Sequence, residues 1–160
     1  MLIKRFSILA LSTLSLAIAT QANALTAKQK VEKEVVTTNA AGQEVVSRVP
    51  AELVTPGETV VYTVEFVNDS ADAATDLVLA MPVPTDIRYI EGSADRAGAV
   101  VLYSADGGES YDARESLNVP AVGGGMRNAR SEDITHIQWT IAGPVPVGAT
   151  DSVVFKGRLK

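Results

Sequence analysis

The stretch TVVYTVEFV, residues 59–67, decides the fold class of this chain. From Val60 to Phe66 every second side chain is apolar, while Thr63 and Glu65 point to the opposite face. A period of two is typical of a β-strand with one buried face. We therefore predict a strand over residues 59–67 and an all-β fold around it.

Two later segments, residues 134–141 and 152–159, repeat this alternation. In the first, Trp139 lies between two isoleucines on the predicted inward face, so we expect it in the core. His136 falls on the outward face of the same segment. Inward positions are predicted for Ile137, Trp139, Ile141, Val153, Phe155 and Leu159.

Short strands separated by turn-forming residues indicate a β-sandwich of about seven to nine short antiparallel strands. Asn-, Asp-, Pro- and Gly-rich turns recur between the apolar segments. The shorter candidate strands are residues 31–37, 44–49, 77–81, 87–90, 99–103 and 115–119.

Two segments fit the strand pattern poorly. Residues 26–36 contain enough Ala, Lys, Gln and Glu for a helical turn or two before the β-branched residues that follow. Residues 123–130 contain three consecutive glycines, and glycine is costly to order. We expect a frayed helical entry in the first segment and a mobile loop in the second.

The N-terminus has the pattern of a secretory signal peptide. Lys4 and Arg5 precede an uncharged apolar run over residues 6–20, and Ala22-Asn23-Ala24 supplies small residues where a signal peptidase cleaves. The apolar run is shorter than the roughly 20 residues that span a bilayer. We predict cleavage after Ala24, export to the periplasm or outside the cell, and no integral membrane segment in the mature chain.

The expected organisation is a signal peptide at residues 1–24, an N-terminal arm or first strands at residues 25–50, and a β-sandwich domain at residues 51–160.

Composition excludes several functional classes. The sequence has 19 Asp plus Glu against 14 Lys plus Arg, and its isoelectric point is near 4.9. This acidity argues against binding nucleic acid, which requires a positive surface. No cysteine and one histidine leave no disulfide, no thiol catalysis and no thiolate or multi-histidine metal site. We expect no cofactor and no metal.

Residues 52–70, ELVTPGETVVYTVEFVNDS, resemble the opening of the bacterial conserved-repeat domain numbered eleven among the domains of unknown function. Shared features are a Pro-Gly turn, a Tyr-Thr strand and an Asn turn. The likeness continues through residues 74–84, 87–93 and 104–111, Ile137-Gln138-Trp139, and residues 146–149, so it spans residues 52–160.

This resemblance implies an immunoglobulin-like sandwich found in envelope and surface proteins, usually as tandem repeats, with no established enzymatic activity. The chain departs from the pattern in two ways. It holds one copy, and Met81-Pro82 replaces the Asp-Pro element of the family.

The motifs of this region can also be explained by the turns that they form. Pro56-Gly57 suits a type II turn, because proline presets one dihedral and glycine accepts a positive φ. Asn68 to Ser70 can close a turn through side-chain hydrogen bonds to the backbone. Asp106-Gly107-Gly108 suits a hairpin connection.

Acidic side chains form two loop clusters, one at Asp69, Asp72 and Asp76, the other at Asp106, Glu109 and Asp112. Carboxylate oxygens are calcium ligands, but the spacing lacks the glycine and terminal glutamate of an EF-hand loop. Acidic surface turns are the commoner explanation, so no metal site is assigned.

Candidate partner-binding loops carry charge beside glycine. One contains Asp106, Gly107, Gly108 and Glu109, and the other contains Arg127 and Arg130, which can hold a carboxylate or phosphate group. The alternative is that these charges are merely solvated. We assign no catalytic residue, because His136 has no identifiable nucleophile or orienting partner.

Three hypotheses follow. The first is a non-catalytic exported envelope module, binding or structural, that meets an envelope protein or glycan through loops or a sheet edge. The second is a periplasmic chaperone or assembly factor that uses a sheet edge. The third, a carboxylate-dependent hydrolase, requires a deep pocket ringed by carboxylates.

Overall fold

The structure, a computed structural model, describes residues 25–160, and within them regular structure consists of β-strands only. Every strand pair is antiparallel, which confirms the predicted all-β class with antiparallel sheets. Ten strands exceed the expected seven to nine. They are β1 (Leu25–Thr38), β2 (Glu44–Pro50), β3 (Thr59–Asn68), β4 (Val78–Pro82), β5 (Ile87–Tyr89), β6 (Ala99–Ser104), β7 (Asn118–Pro120), β8 (Met126–Asn128), β9 (His136–Ile141) and β10 (Thr150–Leu159).

The larger sheet has five strands in the order β2-β1-β3-β10-β5. Its centre is β3, the strand predicted from alternation. Tyr62 lies opposite Val31 of β1 and opposite Phe155 of β10. The Tyr62 and Phe155 rings stack with centroids 4.8 Å apart. Residues 25–50, whose role the sequence left open, thus contribute the first two strands of this sheet.

The smaller sheet has three strands in the order β4-β9-β6, with Trp139 at its centre. Trp139 is fully buried, and its indole Nε1 donates a hydrogen bond to the Ala94 carbonyl at 2.9 Å. The prediction that Trp139 belongs to the core is confirmed. Its position in the middle strand explains why the alternation around it was strong.

Inward-facing side chains of the two sheets pack into one sandwich-like core. Tyr89 of the larger sheet and Tyr103 of the smaller sheet meet in it, with their hydroxyl oxygens 3.1 Å apart. The predicted inward residues that lie in this core are Val60, Tyr62, Phe66, Ile137, Trp139, Ile141, Val153 and Phe155.

The expected helical entry at residues 26–36 is wrong. The chain is already a strand at Leu25, which lies opposite Asn68 of β3, and it stays paired with β3 as far as Lys33. Backbone pairing with a buried strand outweighs the modest helix propensity of these residues.

The expected mobile loop at residues 123–130 is also wrong in part. Its second half forms β8, which pairs with β7 in a separate two-stranded sheet. The glycines form the turn of this hairpin, and Gly123, Gly124 and Gly125 all have positive φ. Glycine tolerates that conformation, so the same residues that suggested disorder allow the reversal.

Two predicted turns are present. The Glu58 amide donates to the Thr55 carbonyl at 3.1 Å, and Gly57 has a φ of 92°, as a type II turn requires. The Ser70 amide donates to Asn68 Oδ1 at 3.1 Å. The Asn68 side chain also donates a hydrogen bond, from Nδ2 to the Val145 carbonyl at 2.8 Å, so this buried residue connects the turn to a distant loop.

The predicted signal peptide and its cleavage site at residues 1–24 lie outside the described residues. Between Leu25 and Lys160, no helix has the length and apolar character needed to cross a membrane.

Candidate interaction surfaces

The β1–β2 hairpin extends past the rest of its sheet. Strand β1 pairs with β3 only as far as Lys33, while its pairing with β2 continues to Thr38. At the tip, Asn39 Oδ1 accepts hydrogen bonds from the amides of Ala41 and Gln43, both at 3.0 Å. This closed turn fixes the register of the two strands.

Strand β2 is exposed along its whole length, although it is rich in valine. Val46 is 58% exposed, and so is Val36, its partner on β1. On the opposite face Val45 is 43% exposed. Both faces of the hairpin therefore present apolar side chains to solvent.

The outer edge of β2 also carries free backbone groups. The Asn39 amide bonds the Gln43 carbonyl, and the Ala51 amide bonds the Val31 carbonyl, so the odd-numbered residues of β2 face β1. The even-numbered residues Glu44, Val46 and Arg48 consequently direct their N–H and C=O groups away from the sheet. No strand in the described part of the chain pairs with this edge.

Ion pairs lie at the root of the hairpin. Lys33 Nζ is 3.1 Å from Glu58 Oε1, and Lys156 Nζ is 2.6 Å from Glu34 Oε1. Glu58 also accepts a hydrogen bond from the Thr55 amide, and this bond, with the lysine, lowers the pKa of its carboxyl. These contacts join the hairpin to β10 and to the turn before β3.

An apolar groove of about 270 Å³ lies next to this root. The carboxylate among its lining residues is Asp86. The pKa of the Tyr62 phenol in this groove is raised mainly by burial and further by the negative charge of Asp86. The groove is lined by Val31, Ala51, Val54, Val60, Tyr62, Asp86, Ile87 and Leu159.

A second exposed surface is the outer face of the three-stranded sheet. Val78 and Val100 flank Thr140 in one row across that face and are 50% and 59% exposed. Ala80 and Leu102 flank Gln138 in the next row. Neither row contains a charged side chain.

A pocket of about 350 Å³ contains three carboxylates that sequence reasoning did not group: Glu91, Asp95 and Glu115. Arg114 lies beside them and forms a fork with Glu91 at 2.6 and 2.9 Å. This arginine lowers the pKa of the Glu91 carboxyl. The pKa of the Tyr103 phenol, which lines the same pocket, is raised mainly by burial and further by its hydrogen bond with the Tyr89 hydroxyl.

These shifts bear on the hydrolase hypothesis. A glycosidase acid needs a carboxyl whose pKa is raised so that it stays protonated. Glu91 is shifted in the opposite direction, and its two oxygens are held by Arg114 and by the Ser131 hydroxyl at 2.8 Å. The charged residues of this pocket come from separate turns after β5 and before β7, so no spacing in the sequence marked them.

The candidate loop around Asp106 is internally bonded. Asp106 Oδ1 accepts from the Ser104 hydroxyl at 2.7 Å and from the amides of Glu109 and Ser110 at 3.1 and 3.0 Å. Hydrogen bonds from Ser110 and Ser104 hold the pKa of the Asp106 carboxyl well below its usual range. Asp106 therefore orders the turn that contains Gly107 and Gly108.

The two candidate arginines differ in their surroundings. Arg127 forms a fork with Asp133 at 2.6 and 2.9 Å, and this guanidinium lowers the pKa of the Asp133 carboxyl to about 2. Arg130 is mostly exposed and lies 3.8 Å from Glu132. Of the six candidate loop residues, Asp106 and Arg127 are thus already engaged within the chain.

The remaining candidates do not assemble into a site. Among residues 25–160, no group of three or more His, Asp or Glu side chains is placed to hold a metal ion. The His136 ring lies against Gly108, where a Cβ would come within 3.4 Å of it.

Sequence reasoning missed the exposed β1–β2 hairpin as a site. The signal was present in the three valines of residues 44–49, but an apolar strand has the same sequence pattern whether it is buried or lies at a sheet edge.

No model of a known protein family matches this chain, and neither the curated proteins nor the solved structures include a significant match to it.

Proposed function

We propose that this chain is an exported, non-catalytic module of the bacterial envelope that binds or joins other envelope components through its β1–β2 hairpin. Export is supported by the signal-peptide pattern of the first 24 residues, and the envelope role by the resemblance of residues 52–160 to surface repeat domains. The observation that carries the binding role is the hairpin, which exposes valines on both faces and a free backbone edge.

An edge of this kind is uncommon in a protein that works alone. Natural sheets shield their edges with prolines, inward charges, bulges or a covering loop, because free N–H and C=O groups pair with other chains. In β2 the only proline is Pro50, at the end of the strand, and the charged residues are Glu44 and Arg48, on either side of Val46. No proline therefore interrupts the edge at its centre.

The test compares two sets of exposed valines. Val45, Val46 and Val49 of the hairpin are replaced together by threonine, and the matched control replaces Val78, Val100 and Val147, which lie elsewhere and are at least as exposed. Isolated envelope fragments of the producing bacterium serve as the probe. We expect the hairpin variant to lose retention on the fragments and the control to keep it. Equal retention of both variants would refute the role of the hairpin.

The chaperone or assembly-factor hypothesis has one observation in its favour. The free edge of β2 lies close to the apolar groove, so an extended segment added to the edge would find apolar contacts at the root of the hairpin. A chaperone would suppress the aggregation of an unfolded envelope protein at equimolar ratio. A module without that role would leave the aggregation unchanged while still binding the fragments.

A further inference from the structure

We propose that the free edge of β2 pairs with the same edge of a second copy of this chain, antiparallel, with the two-fold axis between the two Val46 residues. The inference rests on the proposed function, since it names the partner of the same hairpin. Three features of the hairpin carry it: the direction of its backbone groups, the placement of its charges and the row of valines on one face.

The backbone groups come first. Glu44, Val46 and Arg48 direct both N–H and C=O away from β1, so each can exchange two hydrogen bonds with a residue opposite it. Centring the pairing on Val46 places the two Val46 residues opposite each other and each Glu44 opposite the other copy's Arg48. Every outward-facing group in this stretch then has a partner.

The charges select this register. No ion pair within residues 25–160 involves either Glu44 or Arg48. In the pairing centred on Val46 they form two opposite-charge pairs, and cross-strand pairs of this kind are stabilising. A shift by one pairing step in either direction places one of the charges opposite Val46. A shift by two steps places two glutamates or two arginines opposite each other.

The side chains of one face complete the arrangement. Val36 of β1 lies beside Val46 of β2 on the same face. Across the two-fold axis this produces a row of four valines, Val36 and Val46 of each copy, and each of these side chains is 58% exposed in the single chain. Removing them from water favours association. The two five-stranded sheets would become one continuous sheet.

The first experiment uses the absence of cysteine from the sequence. In the mature protein, Val46→Cys places two thiols at a directly opposed pair, where Cα atoms of antiparallel strands lie about 5.5 Å apart, within disulfide range. Val36→Cys is the matched control, because it has the same exposure and faces the same side but lies one strand away from the edge.

Under mild oxidation we expect Val46→Cys to form a disulfide-linked dimer rapidly and Val36→Cys to remain mostly monomeric. Equal rates of crosslinking for the two variants would overturn the proposed register.

The second experiment exchanges charges and follows association by analytical ultracentrifugation. Glu44→Arg alone, or Arg48→Glu alone, creates two like-charge pairs in the homodimer and should weaken it roughly tenfold. An equimolar mixture of the two single variants restores opposite charges at both positions, so the heterodimer should form where neither homodimer does. Glu52→Arg, an exposed residue outside the paired stretch, is the control for the change in net charge.

A chain that sediments as a monomer at about 1 mM would overturn the proposal. So would a mixture of the two single variants that associates no better than each alone. If the chain is monomeric but still binds envelope fragments through the hairpin, the self-pairing fails and the proposed function stands. If it dimerises as described but is not retained on the fragments, the proposed function fails instead.

Discussion

Strands β2 and β3 contain the same motif, two adjacent valines, in opposite surroundings. Val60 and Val61 of β3 are 3% and 0% exposed, whereas Val45 and Val46 of β2 are 43% and 58% exposed. The valine pair is the same, and its exposure follows the position of the strand in the sheet: β3 has a strand on each side and a sheet facing it, and β2 has one neighbour. Position in the sheet therefore separates the stabilising strand from the one that is free to bind.

Val61 shows that the outer face of the larger sheet can also bury an apolar side chain. Val61 points away from the core, and it lies between Glu32 of β1 and Lys156 of β10. The ion pair between Lys156 and Glu34 joins the two strands that flank β3. The alkyl parts of such long side chains can cover apolar surface while their charges stay in water. The hairpin has no third strand from which a similar cover could come.

The largest effect is expected from the core. Trp139→Ala should lower the free energy of unfolding by roughly 3–5 kcal/mol, because it removes a fully buried indole and its hydrogen bond to Ala94. Urea denaturation followed by circular dichroism measures the loss. A loss under about 1 kcal/mol would show that the core does not depend on the centre of the smaller sheet.

The next effect is expected where β5 meets β10. A Cβ at Gly157 would lie 2.1 Å from Ile87 Cγ2 and 3.1 Å from the Arg88 carbonyl oxygen, so Gly157→Ala must displace β5. We expect a loss of about 1–3 kcal/mol in the same denaturation experiment.

Ile87→Ala combined with Gly157→Ala tests the cause. The double variant should be less destabilised than the sum of the two single variants, because shortening Ile87 removes the clash. Additive losses would assign the effect of Gly157→Ala to the backbone rather than to the contact.

A smaller effect sharpens the comparison of the two strands directly. Val61→Thr buries a hydroxyl group and should cost about 1–2 kcal/mol, whereas Val46→Thr should change stability by less than about 0.5 kcal/mol. Both variants make the same chemical change, so thermal melting of the two reports burial alone. Equal costs would mean that the hairpin is covered in the single chain.

The smallest effect concerns acid. The folded pKa of Asp133 is about 2, below the ordinary value of 3.8, because Arg127 favours its charged form. The pair therefore stabilises the fold above about pH 4, and this contribution is lost as the pH falls towards 2. Asp133→Asn should remove less than about 1 kcal/mol at neutral pH and flatten the fall in melting temperature between pH 4 and 2.

Glu52→Gln is the control, since it also removes one negative charge but from an exposed residue without an ion-pair partner in the described chain. An acid profile of Asp133→Asn that matches the unmodified protein would contradict the assignment.

The sequence predicted the strands whose alternation reflects a buried face. Residues 59–67, 134–141 and 152–159 correspond to β3, β9 and β10, and each of these strands supplies buried side chains to the core. The sequence failed to predict a strand where pairing with a neighbouring strand, and not the segment's own pattern, decides the secondary structure. Residues 25–30 have no strong strand signal and become a strand because β3 offers backbone partners.

The candidate site was only partly accessible to the same reasoning. Charges at Asp106 and Arg127 were visible in the sequence, but the Ser104, Ser110 and Asp133 groups that engage them come together only in the fold. The free edge of β2 could not be foreseen, because strand order in a sheet does not follow from the pattern of any single strand.

The burial of Trp139 gives this chain a built-in optical reporter. It is the only tryptophan in the sequence, it is shielded completely from water, and it lies in the sheet that does not contain the hairpin. Its emission is therefore set by the core and should shift to longer wavelength only when the sandwich opens. Pairing at β2 leaves the environment of Trp139 unchanged. A partner bound at the hairpin edge would therefore increase the measured mass without changing the tryptophan emission.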